Sequence, residues 1–191
     1  MGWADMELDR PQSPWQVADC PRGPITAATV DDAYDLYLKA RQAGMYTPEH
    51  RWGWYGFIGE LVVVDYLRAH AIPYQPATDF ATHDLQVNGY RIEIKTRRLT
   101  TRLYDDYEHN VNGFQWYQKP DHYVFVAVQE GTNGPDTFWL AGSCTPEQLY
   151  IDGEWREEPR GTRKPERFIP GWRIEQRHLT PMAATVDQWV A

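Results

Sequence analysis

The stretch Thr82–Arg98 (THDLQVNGYRIEIKTRR) decides the fold that the sequence predicts. It contains Asn88-Gly89, a dipeptide that favours a two-residue type I′ turn because both residues tolerate a positive φ. Polar and apolar side chains alternate on either side of this dipeptide, as is typical of strands whose two faces meet different surroundings. The stretch therefore predicts a β-hairpin with its turn at residues 88–89.

The short turn also fixes the register of the hairpin. A two-residue loop places Asp84 directly opposite Glu93, with Cβ atoms about 4.5–5.5 Å apart on one face of the sheet. Lys95 follows on the same face, about 6–7 Å further along the strand. Opposed carboxylates destabilise a sheet unless a cation lies between them, so the register predicts a divalent metal. The alternative is a solvated hairpin face on which Asp84 and Lys95 form a diagonal ion pair.

The order of these residues supplies a family resemblance. Asp84, eight intervening residues and then Glu93-Ile94-Lys95 resemble the PD-(D/E)XK nuclease superfamily, in which (D/E)-x-K follows an acid on the preceding strand. The Pro that usually precedes that acid is His83 here. The resemblance covers residues 53–129. It implies an α/β protein with the restriction-endonuclease-like αβββαβ core, a mixed central sheet flanked by helices, and extra C-terminal strands.

The elements predicted around the hairpin follow the order of that core. The apolar stretch Tyr55–His70 predicts a helix that is hydrophobic all round and therefore buried. The β-prone run Tyr123–Val128 predicts a buried central strand. The other predicted elements are helices at Asp31–Gly44, at Phe114–Lys119 and after Thr145, strands at Ile72–Gln75, Thr137–Ala141 and Phe168–Arg177, and a loop at Asp152–Glu166. The stretch Tyr104–Val111 is acidic and polar.

The length of 191 residues predicts a single domain, residues 1–191. Within it we expect an irregular N-terminal arm at 1–30, a nuclease core at 53–129, and C-terminal strands and a loop at 130–191. The isolated Cys20 and Cys144 suit a reducing cytoplasm. No apolar run approaches the roughly 18 residues that span a bilayer, and no secretory signal pattern begins the sequence. These features predict a cytoplasmic protein without a membrane partner.

The resemblance implies a Mg²⁺ site, with Mn²⁺ as a substitute, and a role for each motif residue. Asp84 is expected to be the central metal ligand and Glu93 a second one. The backbone carbonyl of Ile94 is the implied third ligand. Lys95 is expected to position or help deprotonate the attacking water, or to stabilise the transition state.

Glu60 is the other candidate ligand. It stands inside the apolar helix, where a carboxylate must pair, bind metal or become neutral. The resembled family often has a Glu on this helix, which would complete the site, and Gly56 and Gly59 would let the helix approach the sheet closely. The alternative is an ion pair between Glu60 and an arginine such as Arg51.

Charge bears on the expected partner. The net charge of −8, from 19 Lys and Arg against 27 Asp and Glu, excludes a broadly basic surface for nucleic acid. Contacts to phosphate are therefore expected from a local set, with ion pairs on a solvated rim as the alternative for the arginines. The expected contact residues are Arg91, Arg97, Arg98, Gln115 and Lys119.

These observations together predict a Mg²⁺-dependent nuclease that hydrolyses phosphodiester bonds in DNA, acting alone, as a homodimer or within a larger nucleic-acid-processing complex. The competing hypothesis is a non-catalytic interaction module, or an acidic mimic of nucleic acid, built on the same fold. The charge of −8 is its main support. Metal affinity and the effect of changing Lys95 discriminate between the two.

Overall fold

A computed structural model describes residues 17–45, 53–77, 83–113, 118, 120–157 and 170–191. Within these ranges the strands form a six-stranded sheet and a three-stranded sheet. The helices are α1 (Ala27–Gln42), α2 (Trp54–Ala69), α3 (Pro146–Asp152) and α4 (Met182–Val190). The strands are β1 (Arg22–Pro24), β2 (Gln75–Pro76), β3 (Leu85–Val87), β4 (Tyr90–Leu99), β5 (Glu108–Asn112), β6 (His122–Gly131), β7 (Gly134–Cys144), β8 (Glu154–Arg156) and β9 (Gly171–Glu175).

The β3–β4 hairpin has the predicted turn and register. Asn88 and Gly89 have φ values of 46° and 90°, the positive values that a type I′ turn requires. Val87 pairs with Tyr90, and the ladder continues to the pair Leu85–Ile92. The N–H of Asp84 then donates to the Ile92 carbonyl at 2.9 Å, which places Asp84 at the end of the ladder.

The larger sheet has the order β1-β7-β6-β4-β3-β2. Strands β4 and β6 are parallel, and every other pair in this sheet is antiparallel. Helices α2 and α4 pack on one face, where alternate residues of β4 and β6 such as Ile92 and Val124 join the same core cluster as Ile58 and Met182. The other face contacts α3 and the small sheet, β5-β9-β8. The mixed sheet with flanking helices confirms the α/β class.

The helices α1 and α2 match their predictions in position, although α1 begins earlier. Its N-cap is Thr26, whose hydroxyl accepts from the Thr29 N–H at 3.1 Å, and this cap starts the helix at Ala27 rather than Asp31. Gly44 ends it as expected, with a φ of 78° and its N–H bonded to the Arg41 carbonyl. No helix in the described part of the chain is long and apolar enough to cross a membrane.

The structure corrects the prediction for the N-terminal part of the chain. The irregular arm at 1–30 is wrong over its last residues, because Arg22–Pro24 pairs with β7 and α1 follows directly. Residues 1–16 of that arm lie outside the described ranges.

Two strands lie in stretches for which the sequence predicted none: the acidic, polar stretch Tyr104–Val111 and the predicted loop Asp152–Glu166. Tyr104–Val111 overlaps β5, in which His109 and Val111 are buried while their neighbours are half-buried. Asp152–Glu166 contains β8, and both strands pair with β9 in the small sheet. The predicted helix at Phe114–Lys119 lies outside the described residues, apart from Gln118.

The C-terminal part, predicted as strands and a loop, also contains α4. This helix buries Met182, Thr185, Val186 and Trp189, an i, i+3, i+4, i+7 pattern. The Thr185 hydroxyl is hydrogen-bonded to Ser143 of β7 at 2.7 Å, which fixes the helix on the sheet.

Both cysteines are free and buried on the face of the large sheet opposite α2. Burial raises the pKa of the Cys20 thiol to about 12, and the negative charges of Asp105 and Asp19 act in the same direction. Burial likewise raises the pKa of Cys144. Thiols held in the protonated form are poor nucleophiles, so neither cysteine has the properties of a catalytic thiol.

Two glycines of α2 provide a matched test of how closely this helix approaches the sheet. A Cβ at Gly59 would overlap the Thr96 hydroxyl of β4 and lie 3.0 Å from the Thr96 Cβ, whereas a Cβ at Gly56 would meet nothing within 4 Å. We expect Gly59→Ala to lower the free energy of unfolding by about 1–3 kcal/mol. Gly56→Ala should leave it unchanged or raise it by up to about 1 kcal/mol. Urea unfolding of both variants measures this difference, and equal effects would contradict the proposed packing.

Candidate functional site

Asp84 occupies the point where the β3–β4 ladder stops. Its Oδ2 accepts the N–H of Ile94 at 2.6 Å, beyond the last β3–β4 pair. The Asp84 carboxylate thus accepts the hydrogen bond that the backbone of a longer β3 would have accepted from Ile94. The N–H and C=O of one strand residue point to the same side, so the Ile94 carbonyl also lies on the side of Asp84.

Glu93 and Lys95 form an ion pair in a largely buried position. Lys95 Nζ lies 2.5 Å from Glu93 Oε1, and the two side chains are 12% and 6% exposed. The hypothesis of a solvated face with an Asp84–Lys95 pair is therefore wrong on both counts. The physical reason is the register with β6, which sets Glu93 beside Tyr123 and Lys95 beside Phe125, on the face that the second core cluster covers.

Glu60 of α2 joins this site through its charge. Burial raises the pKa of Glu60 to about 8, and the negative charges of Asp84 and Glu93 contribute to the rise. Burial and the charge of Glu93 likewise raise the pKa of Asp84 to about 7, against the opposing effects of the Ile94 N–H and Lys95. Three carboxylates from α2, β4 and the residue before β3 therefore repel one another within one buried region.

The oxygen atoms of this region are of the chemical type that a hard divalent cation prefers, but among the described residues they are not arranged around one. Glu93 Oε2 is buried and has no hydrogen-bond partner, and carboxylate and carbonyl oxygens are the ligands that Mg²⁺ and Mn²⁺ prefer. In the described part of the chain, no group of three or more His, Cys, Asp and Glu side chains is arranged to hold a metal ion. Instead, Lys95 donates to one oxygen of Glu93, and the Ile94 N–H donates to one oxygen of Asp84. A cation would have to displace Lys95 from Glu93.

Each of the three predicted DNA-binding arginines contacts another side chain. Arg91 Nε lies 3.2 Å from Asp121 Oδ2, and the Arg91 N–H donates to the same oxygen at 2.7 Å. Arg98 Nε lies 2.7 Å from Glu130 Oε2, while the Arg97 guanidinium lies 4.6 Å from the centre of the Tyr107 ring. The contacts of these arginines with phosphate stay predictions. Gln115 and Lys119, like Arg51, lie outside the described residues.

Two residues that the sequence analysis did not single out lie beside the predicted ones. Asp121 precedes β6 and binds Arg91, and the sequence carries no signal for this pair because it spans the β4–β6 crossover. Tyr123 is completely buried next to Glu93 in the parallel register. A hydroxyl in an otherwise apolar strand was the available signal for Tyr123.

The pKa values of the two raised carboxyl groups predict how stability depends on pH without metal. In the unfolded chain both groups ionise near pH 4, whereas in the folded protein the pKa values of Asp84 and Glu60 are about 7 and about 8. The folded state therefore binds more protons between these limits. Because both groups contribute, we expect the free energy of unfolding to fall by several kcal/mol as the pH rises from 4.5 to about 8 in EDTA.

Asp84→Asn tests whether the Asp84 carboxyl group causes part of this fall in the free energy of unfolding with pH. Asparagine keeps an oxygen that can accept the Ile94 N–H, but it removes one titrating group and the repulsion between that group and Glu60. The free energy of unfolding of the variant should therefore fall less between pH 5 and pH 8 than that of wild type. Asp65→Asn on the exposed side of α2 serves as the control. Urea unfolding at the two pH values measures the slopes, and identical slopes for Asp84→Asn and wild type would contradict the assignment.

No protein-family model matches this chain, and no curated protein matches it in sequence. The site is therefore characterised by its own chemistry. It consists of three carboxylates that repel one another, one ammonium group and a backbone carbonyl, gathered where a hairpin ladder ends against a buried helix. Raised pKa values such as those of Asp84 and Glu60 are common among the carboxyl groups of functional sites.

Proposed function

We propose that this protein is a metal-dependent nuclease that hydrolyses phosphodiester bonds in DNA. The observation that carries the proposal is the cluster of the buried Glu93 with the half-buried Asp84 and Glu60, with Lys95 at its side. The element order supports it. Helix α2 is followed by the antiparallel strands β2, β3 and β4, and then by β6 parallel to β4. We propose the restriction-endonuclease-like fold with its αβββαβ core for this chain, on the order of α2, β2, β3, β4 and β6, although in the described residues the strand β5, and no helix, lies between β4 and β6.

The proposal gives each residue of the site a role. The carboxylates of Asp84, Glu93 and Glu60, with the Ile94 carbonyl, would hold Mg²⁺ or Mn²⁺. When bound, the cation would supply Lewis acidity at the phosphate and lower the pKa of water. Lys95 donates one of its three N–H groups to Glu93. Its other N–H groups would orient the attacking water or donate to a phosphate oxygen, and its positive charge would offset the charge that develops there.

The acidic character of the chain restricts how DNA can approach. A net charge of −8 repels a polyanion at long range, and the carboxylates of the site add to this field until a cation binds. Phosphate groups would have to compete with Asp121 for Arg91 and with Glu130 for Arg98. We therefore propose that binding of DNA depends on the metal and weakens steeply with salt.

Cleavage of circular and linear DNA tests the proposal. Wild type should cut with Mg²⁺ or Mn²⁺ and not with EDTA. Asp84→Asn should lower the cleavage rate by about 100-fold or more. Lys95→Arg should lower it by about 10-fold or more, because the planar guanidinium keeps the positive charge but places its N–H donors differently from the lysine ammonium group. The controls are Asp65→Asn and Lys39→Arg, both away from the site on the surfaces of α2 and α1.

The choice of Lys95→Arg follows from the structure. Lys95→Ala would leave the buried Glu93 carboxylate without its ammonium partner, and breaking a buried ion pair in this way can unfold a domain. Circular dichroism should show that Lys95→Arg and Asp84→Asn keep the wild-type fold. Full activity in the folded Asp84→Asn variant would contradict the proposed site.

The second candidate is a non-catalytic interaction module or an acidic mimic of nucleic acid. The structure offers one observation in its favour, since Asp121 and Glu130 neutralise Arg91 and Arg98 and leave less positive charge at the surface. Such a module would bind a DNA-binding protein instead of DNA. It would also be indifferent to Lys95→Arg. Absence of cleavage by wild type with either metal, together with absence of Mn²⁺ binding, would favour this candidate over the nuclease.

A further inference from the structure

A buried hydroxyl beside the carboxylate cluster has no partner in the structure. Tyr123 of β6 is 0% exposed, and its hydroxyl makes no hydrogen bond. Its register partner on β4 is Glu93, whose Oε2 is also buried without a hydrogen bond. Side chains in register on neighbouring strands share a face. An unused donor and an unused acceptor therefore belong to residues that are paired on neighbouring strands, on the same face of the sheet.

The chemistry of the two groups is complementary. A tyrosine hydroxyl keeps its proton at neutral pH and can donate it in a hydrogen bond. An ionised carboxylate only accepts. Leaving both groups unbonded costs stability, and phenylalanine would fill the same space without a buried hydroxyl. The hydroxyl is therefore a candidate for a bond that forms when the site changes.

We propose that Tyr123 is a positioning residue that donates a hydrogen bond to Glu93 when Glu93 turns from Lys95 to hold a divalent cation. The inference rests on the proposed function, because it requires the metal site. In the structure Lys95 neutralises Glu93 through Oε1. Once a cation takes over that role, the hydroxyl would fix the other carboxylate oxygen. Hydrogen bonds to metal ligands orient them and increase the affinity for the metal.

Titration calorimetry of Mn²⁺ binding to the whole chain tests this inference without relying on cleavage. Tyr123→Phe removes only the hydroxyl, and its Kd for Mn²⁺ should rise about 10-fold or more above the wild-type value. Tyr37→Phe removes a hydroxyl from another buried tyrosine, on α1, and should leave the Kd unchanged. In a Glu93→Gln background, Tyr123→Phe should change the Kd no further, because the hydroxyl acts through Glu93.

Urea unfolding in EDTA separates positioning from simple structural support. The hydroxyl has no partner in the structure, so Tyr123→Phe should unfold at the same urea concentration as wild type or at a higher one. Adding Mn²⁺ should then stabilise Tyr123→Phe less than wild type. A lower midpoint in EDTA with an unchanged Kd for Mn²⁺ would show a structural role and overturn the inference.

The outcomes also distinguish this inference from the proposed function. If wild type and Tyr123→Phe bind Mn²⁺ equally, the role of Tyr123 is overturned and the metal site stands. If wild type binds no Mn²⁺, both are overturned. If wild type binds Mn²⁺ more tightly than Tyr123→Phe and yet cuts no DNA, the role of Tyr123 is supported and the nuclease activity is overturned.

Discussion

The ion pair between Glu93 and Lys95 is the interaction on which the rest of the site depends. Glu93 lies in the interior of the large sheet, near enough to Asp84 and Glu60 for its negative charge to contribute to the raised pKa of both. Burying like charges is strongly unfavourable unless a cation compensates them. Lys95, two residues along the same strand, supplies that cation in the structure. The positive charge of Lys95 thus stabilises the site, and a bound metal ion could take over this role.

The backbone brings the carboxylates together by two different means. The two-residue turn at Asn88-Gly89 fixes the register of β3 and β4, and this register sets Asp84 at the end of the ladder next to Ile94. Glu60 lies on α2, and this helix can pack closely against β4 because Gly59 has no side chain that would clash with Thr96. One turn dipeptide and one close helix contact therefore gather carboxylates that are spread from position 60 to position 93 of the sequence.

The parts of the fold that were predictable are those set by local chemistry. The Asn-Gly turn, the apolar helix α2, the buried strand β6 and the cap of α3 at Thr145 all follow from short-range preferences, and the structure confirms them. The small sheet was missed because β5 has a polar sequence and pairs with β9, far along the chain. Helix α4 was missed although its buried residues recur with helical spacing.

The sequence predicted the register of the hairpin that carries the site, but not which residues cover the site. Alternation along β4 identified which residues share a face, but it could not show what covers that face. Because the second core cluster covers it, Glu93 and Lys95 are buried rather than solvated. The partnership of Arg91 with Asp121 and the position of Tyr123 likewise depend on the β4–β6 crossover. Contacts across such a crossover have no local signature in the sequence.

Diffraction from crystals grown with Mn²⁺, with data collected at a wavelength where manganese scatters anomalously, tests the central claim most directly. The account predicts an anomalous peak in contact with the carboxylates of Asp84 and Glu93, with Lys95 Nζ moved away from Glu93 Oε1. A crystal grown with Mn²⁺ that shows no anomalous peak at this position, and in which Lys95 Nζ still lies beside Glu93 Oε1, would contradict the central claim.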